Sequence, residues 1–222
     1  SSVISRLLGE KKDNEAKKTC AFCIWVSLVF GLCISVILLL FRTQILGLLG
    51  VSKVTYEYAN AYYTWIAIGA VSIIFSMVPS NILRTEGLAV QSMAGSIIGS
   101  IVNIIFDPIF IFGLNQGAAG AAMATVLGNI IADIYYVYAV IKKSKRLTCS
   151  PSHMKITGRR VKDILMIGIP ASITNIMQTF MMVMTNNFLL PYGTDKVAAM
   201  GIALKVNTVS YTHLRAHETA AN

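Results

Sequence analysis

A carboxylate lies inside a long apolar stretch of this sequence. Asp107 has apolar side chains before and after it in residues 100–112, with no basic residue nearby. An ionisable group within a membrane span costs about 2.5–3.5 kcal/mol on insertion scales, so such residues mark ion or substrate paths by default. Asn103, four residues earlier, shares its helix face. Pro108 leaves the Ile104 carbonyl without its helical N–H partner and favours a bend. These oxygens suit a proton or a sodium ion.

The alternative for Asp107 is a structural role, in which neighbouring polar side chains satisfy a carboxylate on a bent helix. The burial cost favours the functional interpretation.

Asp133 is a second acidic residue in an apolar run. It lies about 16 residues, or roughly 24 Å, along its predicted helix. That position, near the cytoplasmic surface, predicts a solvated or snorkelling anchor beside Lys142 and Lys143 rather than a transport role. Arg84 and Glu86 are predicted to have a topological role in a tight turn.

The composition places the chain among membrane proteins that cross the bilayer several times. Of its 222 residues, 55% are hydrophobic and 13% are charged, which excludes an ordinary soluble domain. The net charge of +9 does not predict nucleic-acid binding, because the basic residues fall in short clusters between apolar runs. The chain starts at Ser1 without a signal peptide, and we expect an internal fragment.

Five apolar runs are long enough to cross a bilayer, and all are predicted to be helical. They are residues 19–41, 57–83, 91–113, 117–141 and 161–190, with partial spans at 1–9 and 196–210. Fourteen Lys and Arg residues fall in alternate linkers and only three in the opposite ones, which predicts that the basic linkers are cytoplasmic. The longest linker, 142–160, is predicted to separate two helical bundles.

The sequence contains only weak signals for metal or cofactor binding. Cys20 and Cys23 form a C-x-x-C without a second pair at zinc spacing, and His213 and His217 have no third ligand. We predict no cofactor, no catalytic residues and no metal site beyond a sodium ion at Asp107. The composition changes abruptly after about residue 208, and 209–222 are predicted to be a foreign tail.

Several phrases resemble the MATE (multidrug and toxic compound extrusion) transporters, in particular the DinF-like and MepA-like bacterial branch. They are Ile-Leu-Arg-Thr-Glu-Gly at 82–87, Asn-Ile-Ile-Phe-Asp-Pro-Ile-Phe-Ile-Phe-Gly at 103–113, Gly-Ala-Ala-Gly-Ala-Ala-Met-Ala-Thr at 117–125, Ile-Gly-Ile-Pro-Ala at 167–171 and Tyr-Gly-Thr-Asp-Lys-Val-Ala-Ala-Met-Gly-Ile at 192–202. The resemblance implies an all-α fold of two six-helix bundles, here from the end of helix two to the start of helix eight.

The resemblance also implies a domain organisation. Residues 1–141 would belong to the N-terminal bundle, 142–160 would form the cytoplasmic linker, and 161–208 would begin the C-terminal bundle. The match covers nearly all of residues 1–208, in order and at family spacing.

The resemblance implies roles for specific residues of this sequence. Asp107 and Asn103 match the acidic residue and the amide of the cation site in the N-terminal bundle, Thr125 matches its hydroxyl and Tyr62 its phenol. Neighbouring Tyr63 leaves that last alignment open by one residue. The acidic partner on helix one of the family lies outside this sequence.

On the helix that corresponds to the family's seventh, one residue departs from the family pattern. Met177, Gln178 and Met181 on this helix form a weakly predicted substrate site. Gln178 stands where NorM-like members carry a glutamate, and a neutral amide cannot take up a proton, so the N-terminal cluster is the favoured site. Met177 and Met181 are flexible thioethers of the kind found in promiscuous binding surfaces. Ordinary packing or lipid contact is the alternative for both.

The function implied is a multidrug antiporter, not an enzyme, that exports organic cations and amphipathic drugs in exchange for Na⁺ or H⁺. We expect a monomeric multi-pass protein of the bacterial inner membrane, with drug-like molecules and the bilayer as partners and no nucleic acid. The alternative is a flippase for lipid-linked oligosaccharides, which shares the superfamily fold. A channel or receptor is disfavoured.

Overall fold

The computed structural model describes residues 2–48, 56–144, 146–148, 150, 158–189, 192, 196 and 199–204. The predicted tail, 209–222, lies outside this range, as do about half of the 142–160 linker and the end of the 161–208 segment. Helices account for nearly all of the described residues, and none of these residues forms a strand. The predicted all-α class is confirmed.

Among the described residues from 2 to 189, seven α-helices follow one another. They are α1 (Ser2–Gly9), α2 (Asp13–Leu40), α3 (Arg42–Leu48), α4 (Tyr56–Thr85), α5 (Ala89–Pro108), α6 (Gly117–Lys143) and α7 (Gly158–Leu189). A π-helical turn, Ile109–Gly113, continues α5 directly. Five of these segments are long and apolar enough to cross a membrane, and they coincide with the five predicted spans.

The helix ends differ from the predicted spans for local reasons. Helix α2 begins six residues before the predicted start at 19, with Asp13 and Glu15 in its first turn, where carboxylates interact favourably with the helix dipole. Helix α3 is a short addition that apolar run length alone does not predict, because its seven residues cannot span a bilayer. Residues 199–204 are helical, within the predicted partial span.

The chain divides into two compact units, Ser1–Ile164 and Leu165–Asn222. In the first unit, one buried cluster joins α1, α2 and α4 through Ile4, Leu7, Cys20 and Ile82. A second cluster joins α4 and α6 through Leu83 and Tyr136, among others. The second unit contains most of α7, whose side chains from 165 to 184 are exposed.

Candidate functional site

Two glycines bring α5 and α6 into direct backbone contact. A Cβ atom added to Gly128 would lie 2.6 Å from the carbonyl oxygen of Gly99 and 3.5 Å from Cβ of Asn103. Small residues at a helix crossing allow such close approach in membrane proteins. One consequence is that the polar face of α5, at Asn103, lies against α6 at Thr125.

Asn103, Asp107 and Thr125 form one hydrogen-bonded cluster at this crossing. The amide orientation that satisfies both neighbours places the Asn103 nitrogen 3.3 Å from Oδ2 of Asp107, to which it donates. Its oxygen then accepts from Oγ1 of Thr125 at 3.2 Å. Hydrogen-bond partners decide amide orientation in this way. Three of the four residues predicted for the cation site are therefore adjacent.

Asp107 has spare acceptor capacity. Its Oδ1 atom is buried and has no hydrogen-bond partner among the described residues. Directly after Pro108 the chain leaves α-helical geometry and forms the π-helical turn. Such turns are frequent at functional sites. A buried carboxylate oxygen without a donor is a position at which a cation or a proton would be stabilised.

Tyr62 is not brought to this cluster by any described contact. Its side chain is 43% exposed on α4, and no hydrogen bond joins it to Asp107 in the part of the chain that the structure describes. The phenol of Tyr63 donates instead to the Leu38 carbonyl of α2 at 3.0 Å. The role of Tyr62 stays a prediction.

A cavity of about 670 Å³, lined by both polar and apolar groups, lies between α4, α5 and α6. Its lining includes Ser80, Arg84, Ser96, Asn103, Thr125 and Asn129. Its volume falls within the range of small-molecule sites. It begins at the hydroxyl and amide of the cluster and extends along α4 and α5 to the turn that joins them.

The polar face of α5 that includes the cavity serines Ser96 and Ser100 could have been found from the sequence. Ser92, Ser96, Ser100, Asn103 and Asp107 follow one another at spacings of four, four, three and four. That spacing places them on one helical face, which forms a polar stripe along an otherwise apolar helix. Sequence reasoning had considered only the last two members.

Arg84 is positioned differently from the prediction of a purely topological role in the turn. It lies in the last turn of α4, and its Nε donates to Oγ of Ser92 at 2.9 Å. Oγ of Ser92 is also 2.9 Å from that of Ser80. The guanidinium thus joins the ends of α4 and α5 and lies on the cavity wall.

The prediction that Asp133 is a solvated anchor is wrong, because its carboxylate lies against α4. Its side chain is half-buried, Oδ2 accepts a hydrogen bond from the Ser72 hydroxyl of α4, and Oδ1 is buried without a described partner. Helix α6 continues ten residues further, to Lys143, about 15 Å at 1.5 Å per residue. Position along the helix had suggested exposure to solvent, whereas burial depends on the contact with Ser72 of α4, which the sequence does not place opposite Asp133.

The weak substrate residues lie on α7 in the second unit. Met177 is 54% exposed and Met181 is 67% exposed, and Gln178 between them is also exposed. The three lie within about one helical turn. Their part in a substrate site stays a prediction.

Comparison with known proteins gives the same family as the sequence motifs. The MatE family profile matches residues 1–109. The multidrug export protein MepA of Staphylococcus haemolyticus is 34% identical over 205 residues, which are 92% of this chain and 45% of that protein. MepA of Staphylococcus aureus is 30% identical and is covered to 46%. The chain belongs to the MATE family.

Solved structures place the MATE chain in the same fold. One is described as the inward-facing conformation of a multidrug resistance MATE family transporter, with a TM-score of 0.82 and 28% identity over 94% of this chain and 48% of that one. Another, a MOP superfamily transporter from Pyrococcus furiosus with reverse polarity of its binding pocket, has a TM-score of 0.84 and 28% identity over 92% and 46% of the two chains.

The MATE chain spans about half the length of the curated relatives it matches. Its five long apolar helices and its staphylococcal relatives make it a multi-pass protein of the bacterial cell membrane, as predicted. The predicted family and branch are likewise confirmed.

Proposed function

We propose that this chain works in a secondary active exporter of organic cations and other amphipathic drugs, driven by an inward flow of sodium ions or protons. The observation that carries the proposal is Asp107, whose Oδ2 is bonded to Asn103 and whose Oδ1 is buried and unpartnered. Inside a membrane span an uncompensated carboxylate is costly, and a bound cation would neutralise its charge. The relatives named as multidrug export proteins support drugs as the cargo.

Binding of the cation would act through the helices that hold it. The cluster joins α5 to α6 beside the π-helical turn, so neutralising Asp107 changes the interactions at this crossing. A ligand shifts a conformational equilibrium only through its different affinities for the two states. We therefore expect inward- and outward-facing states to differ in the distance between Asp107 and Thr125.

The test uses the whole gene that encodes this chain, expressed in cells from which inverted membrane vesicles are made. Ethidium accumulation is followed under an imposed proton gradient and, separately, under a sodium gradient. The wild-type protein should accumulate ethidium under one of them. Asp107→Asn, which keeps the shape and removes the charge, should reduce accumulation to the level of empty vesicles.

Asp163→Asn is the matched control. Asp163 lies near the start of α7 and pairs with Arg6 and Arg160, away from the cluster, so its replacement should leave accumulation intact. Equal accumulation by Asp107→Asn at equal expression would remove Asp107 from the mechanism. Absence of accumulation in the wild-type protein, despite confirmed insertion, would contradict drug export.

The flippase alternative gains no support from the comparisons or the cavity. A pyrophosphate headgroup calls for several cationic side chains, whereas Arg84 is the one cation on the cavity wall as described here. Its guanidinium already donates to Ser92. The cavity is otherwise lined by neutral hydroxyl, amide and apolar groups, which suits an organic cation better than a pyrophosphate.

A further inference from the structure

Asp133 is a carboxylate that the proposed mechanism does not use. It lies inside a predicted membrane span, between α4 and α6, and no ion pair joins it to a basic residue in the portion of the chain described. Thr125, the cluster residue on the same helix, is eight residues away, or about 12 Å along the axis. Asp133 is thus a separate acidic position at a different depth.

The groups around Asp133 leave it without a counter-charge. The titratable residues of α4 are Tyr56, Glu57, Tyr58, Tyr62, Tyr63 and Arg84, that of α5 is Asp107, and those of α6 besides Asp133 are Tyr135, Tyr136, Tyr138, Lys142 and Lys143. The phenol of Tyr136 is hydrogen-bonded to Ser96. The lysines are nine and ten residues further along α6. Ser72 supplies the recorded hydrogen bond to Asp133.

An ionised carboxylate here would be buried beside one hydroxyl donor, which is costly. Its Oδ1 atom has no described donor. A metal cation would require several oxygen ligands, as hard cations do in proteins, but the described contacts provide only the Asp133 carboxylate and the Ser72 hydroxyl. A proton needs one oxygen, and the neutral acid removes the buried charge.

We propose that Asp133, held by Ser72 between α4 and α6, is a second proton-binding site in the membrane interior, separate from the Asp107 cluster. The use of this proton in transport rests on the proposed exporter function. The binding of a proton to Asp133 follows from the local geometry alone. A purely structural carboxylate would keep its hydrogen bond to Ser72 and would not exchange a proton in the working pH range.

The first test labels the whole wild-type protein in vesicles with dicyclohexylcarbodiimide, which reacts with protonated carboxylic acids in apolar surroundings. Peptide mapping by mass spectrometry then locates the adducts. We expect an adduct on Asp133 in acidic buffer and its loss in alkaline buffer. Asp163, an ion-paired carboxylate near the start of α7, is the internal control and should remain unlabelled.

The second test does not depend on access of a reagent. Infrared difference spectra between acidic and alkaline buffer are recorded for Asp107→Asn and for the double variant that also carries Asp133→Asn. The single variant should retain the carbonyl band of one protonated buried acid, and the double variant should lose it. Ser72→Ala, in the Asp107→Asn background, should shift the pH midpoint of that band, because a donor to the charged form is removed.

Identical difference spectra for the single and double variants would overturn the proposal, whatever the labelling shows. So would an adduct on Asp133 whose yield is independent of pH. Neither measurement involves a drug or a gradient. A failure here is therefore distinguishable from a failure of drug export.

Discussion

At the scale of single residues, the proposed cation cluster depends on three side chains whose chemistry is not interchangeable. Asp107 supplies the charge, and Asn103 can donate to it while accepting from Thr125. The Thr125 hydroxyl has a single hydrogen, which it donates to Asn103 in this orientation, and the Ala121 carbonyl of its own helix, 3.0 Å away, is the alternative acceptor. The hydroxyl is thus the link between α6 and the amide that orients the carboxylate.

A pair of substitutions at Thr125 separates its hydroxyl from its shape. Thr125→Val keeps the volume and removes a hydrogen bond between two neutral groups, which contributes about 0.5–1.5 kcal/mol. We expect a cation concentration for half-maximal ethidium accumulation that is about two- to tenfold higher. Thr125→Ser retains the hydroxyl and should match the wild type. If both variants behave alike, packing rather than hydrogen bonding explains Thr125.

At the scale of elements, the crossing of α5 and α6 depends on the absence of two side chains. Gly99 and Gly128 face each other closely enough that a Cβ on Gly128 meets backbone oxygen at 2.6 Å. Backbone cannot rotate away as a flexible side chain can. The distance between Asn103 and Thr125 is therefore set by glycine positions outside the cluster itself.

Gly128→Ala is expected to force α5 and α6 apart. Overpacking of this kind costs about 1–3 kcal/mol, so the thermal midpoint of the purified protein should fall. Stabilisation of the protein by added cation should weaken as well, since the cluster opens. Differential scanning fluorimetry with and without cation measures both effects.

Gly47→Ala is the matched control, because a Cβ at Gly47 in α3 would meet no atom within 4 Å. Alanine is a better helix former than glycine by up to about 1 kcal/mol, so this variant should be as stable as the wild type or slightly more so. Equal thermal midpoints for the two alanine variants would show that the close crossing does not limit stability.

At the scale of the whole molecule, ion pairs gather at one end of the first unit. Arg146 pairs with Asp13, Arg6 with Asp163, and Arg160 with Glu15. They connect the start of α7 and the segment after α6 to α1 and α2. The positive-inside pattern predicts that this end is cytoplasmic. The same charges that orient the chain thus also join its helices.

Arg160→Gln removes the guanidinium that contacts both Glu15 and Asp163. Exposed ion pairs contribute about 0–1 kcal/mol each, so we expect a small fall in the thermal midpoint at low ionic strength. Potassium chloride should reduce the difference from wild type by screening, without adding sodium. Lys162→Gln, at an exposed neighbouring lysine, should show no such salt-dependent difference.

The spans, their order and the pairing of Asn103 with Asp107 could be predicted because they depend on local information. Run length and hydropathy decide which segments can cross a bilayer, and helical spacing places Asn103 and Asp107 on one face. Their meeting with Thr125 came from family resemblance. The physical cause, the contact between Gly99 and Gly128, is visible only once α5 and α6 are packed.

The membrane class, the helices and the residue types that could hold a cation follow from the sequence alone. The burial and the partners of each polar group depend on the packed helices. Asp133 proved to be half-buried against Ser72, Arg84 proved to lie on a cavity wall, and Tyr62 was not brought to the cluster. The reason is that a helical period fixes a side chain relative to its own axis, whereas burial depends on which neighbouring helix lies opposite, at what height and how closely.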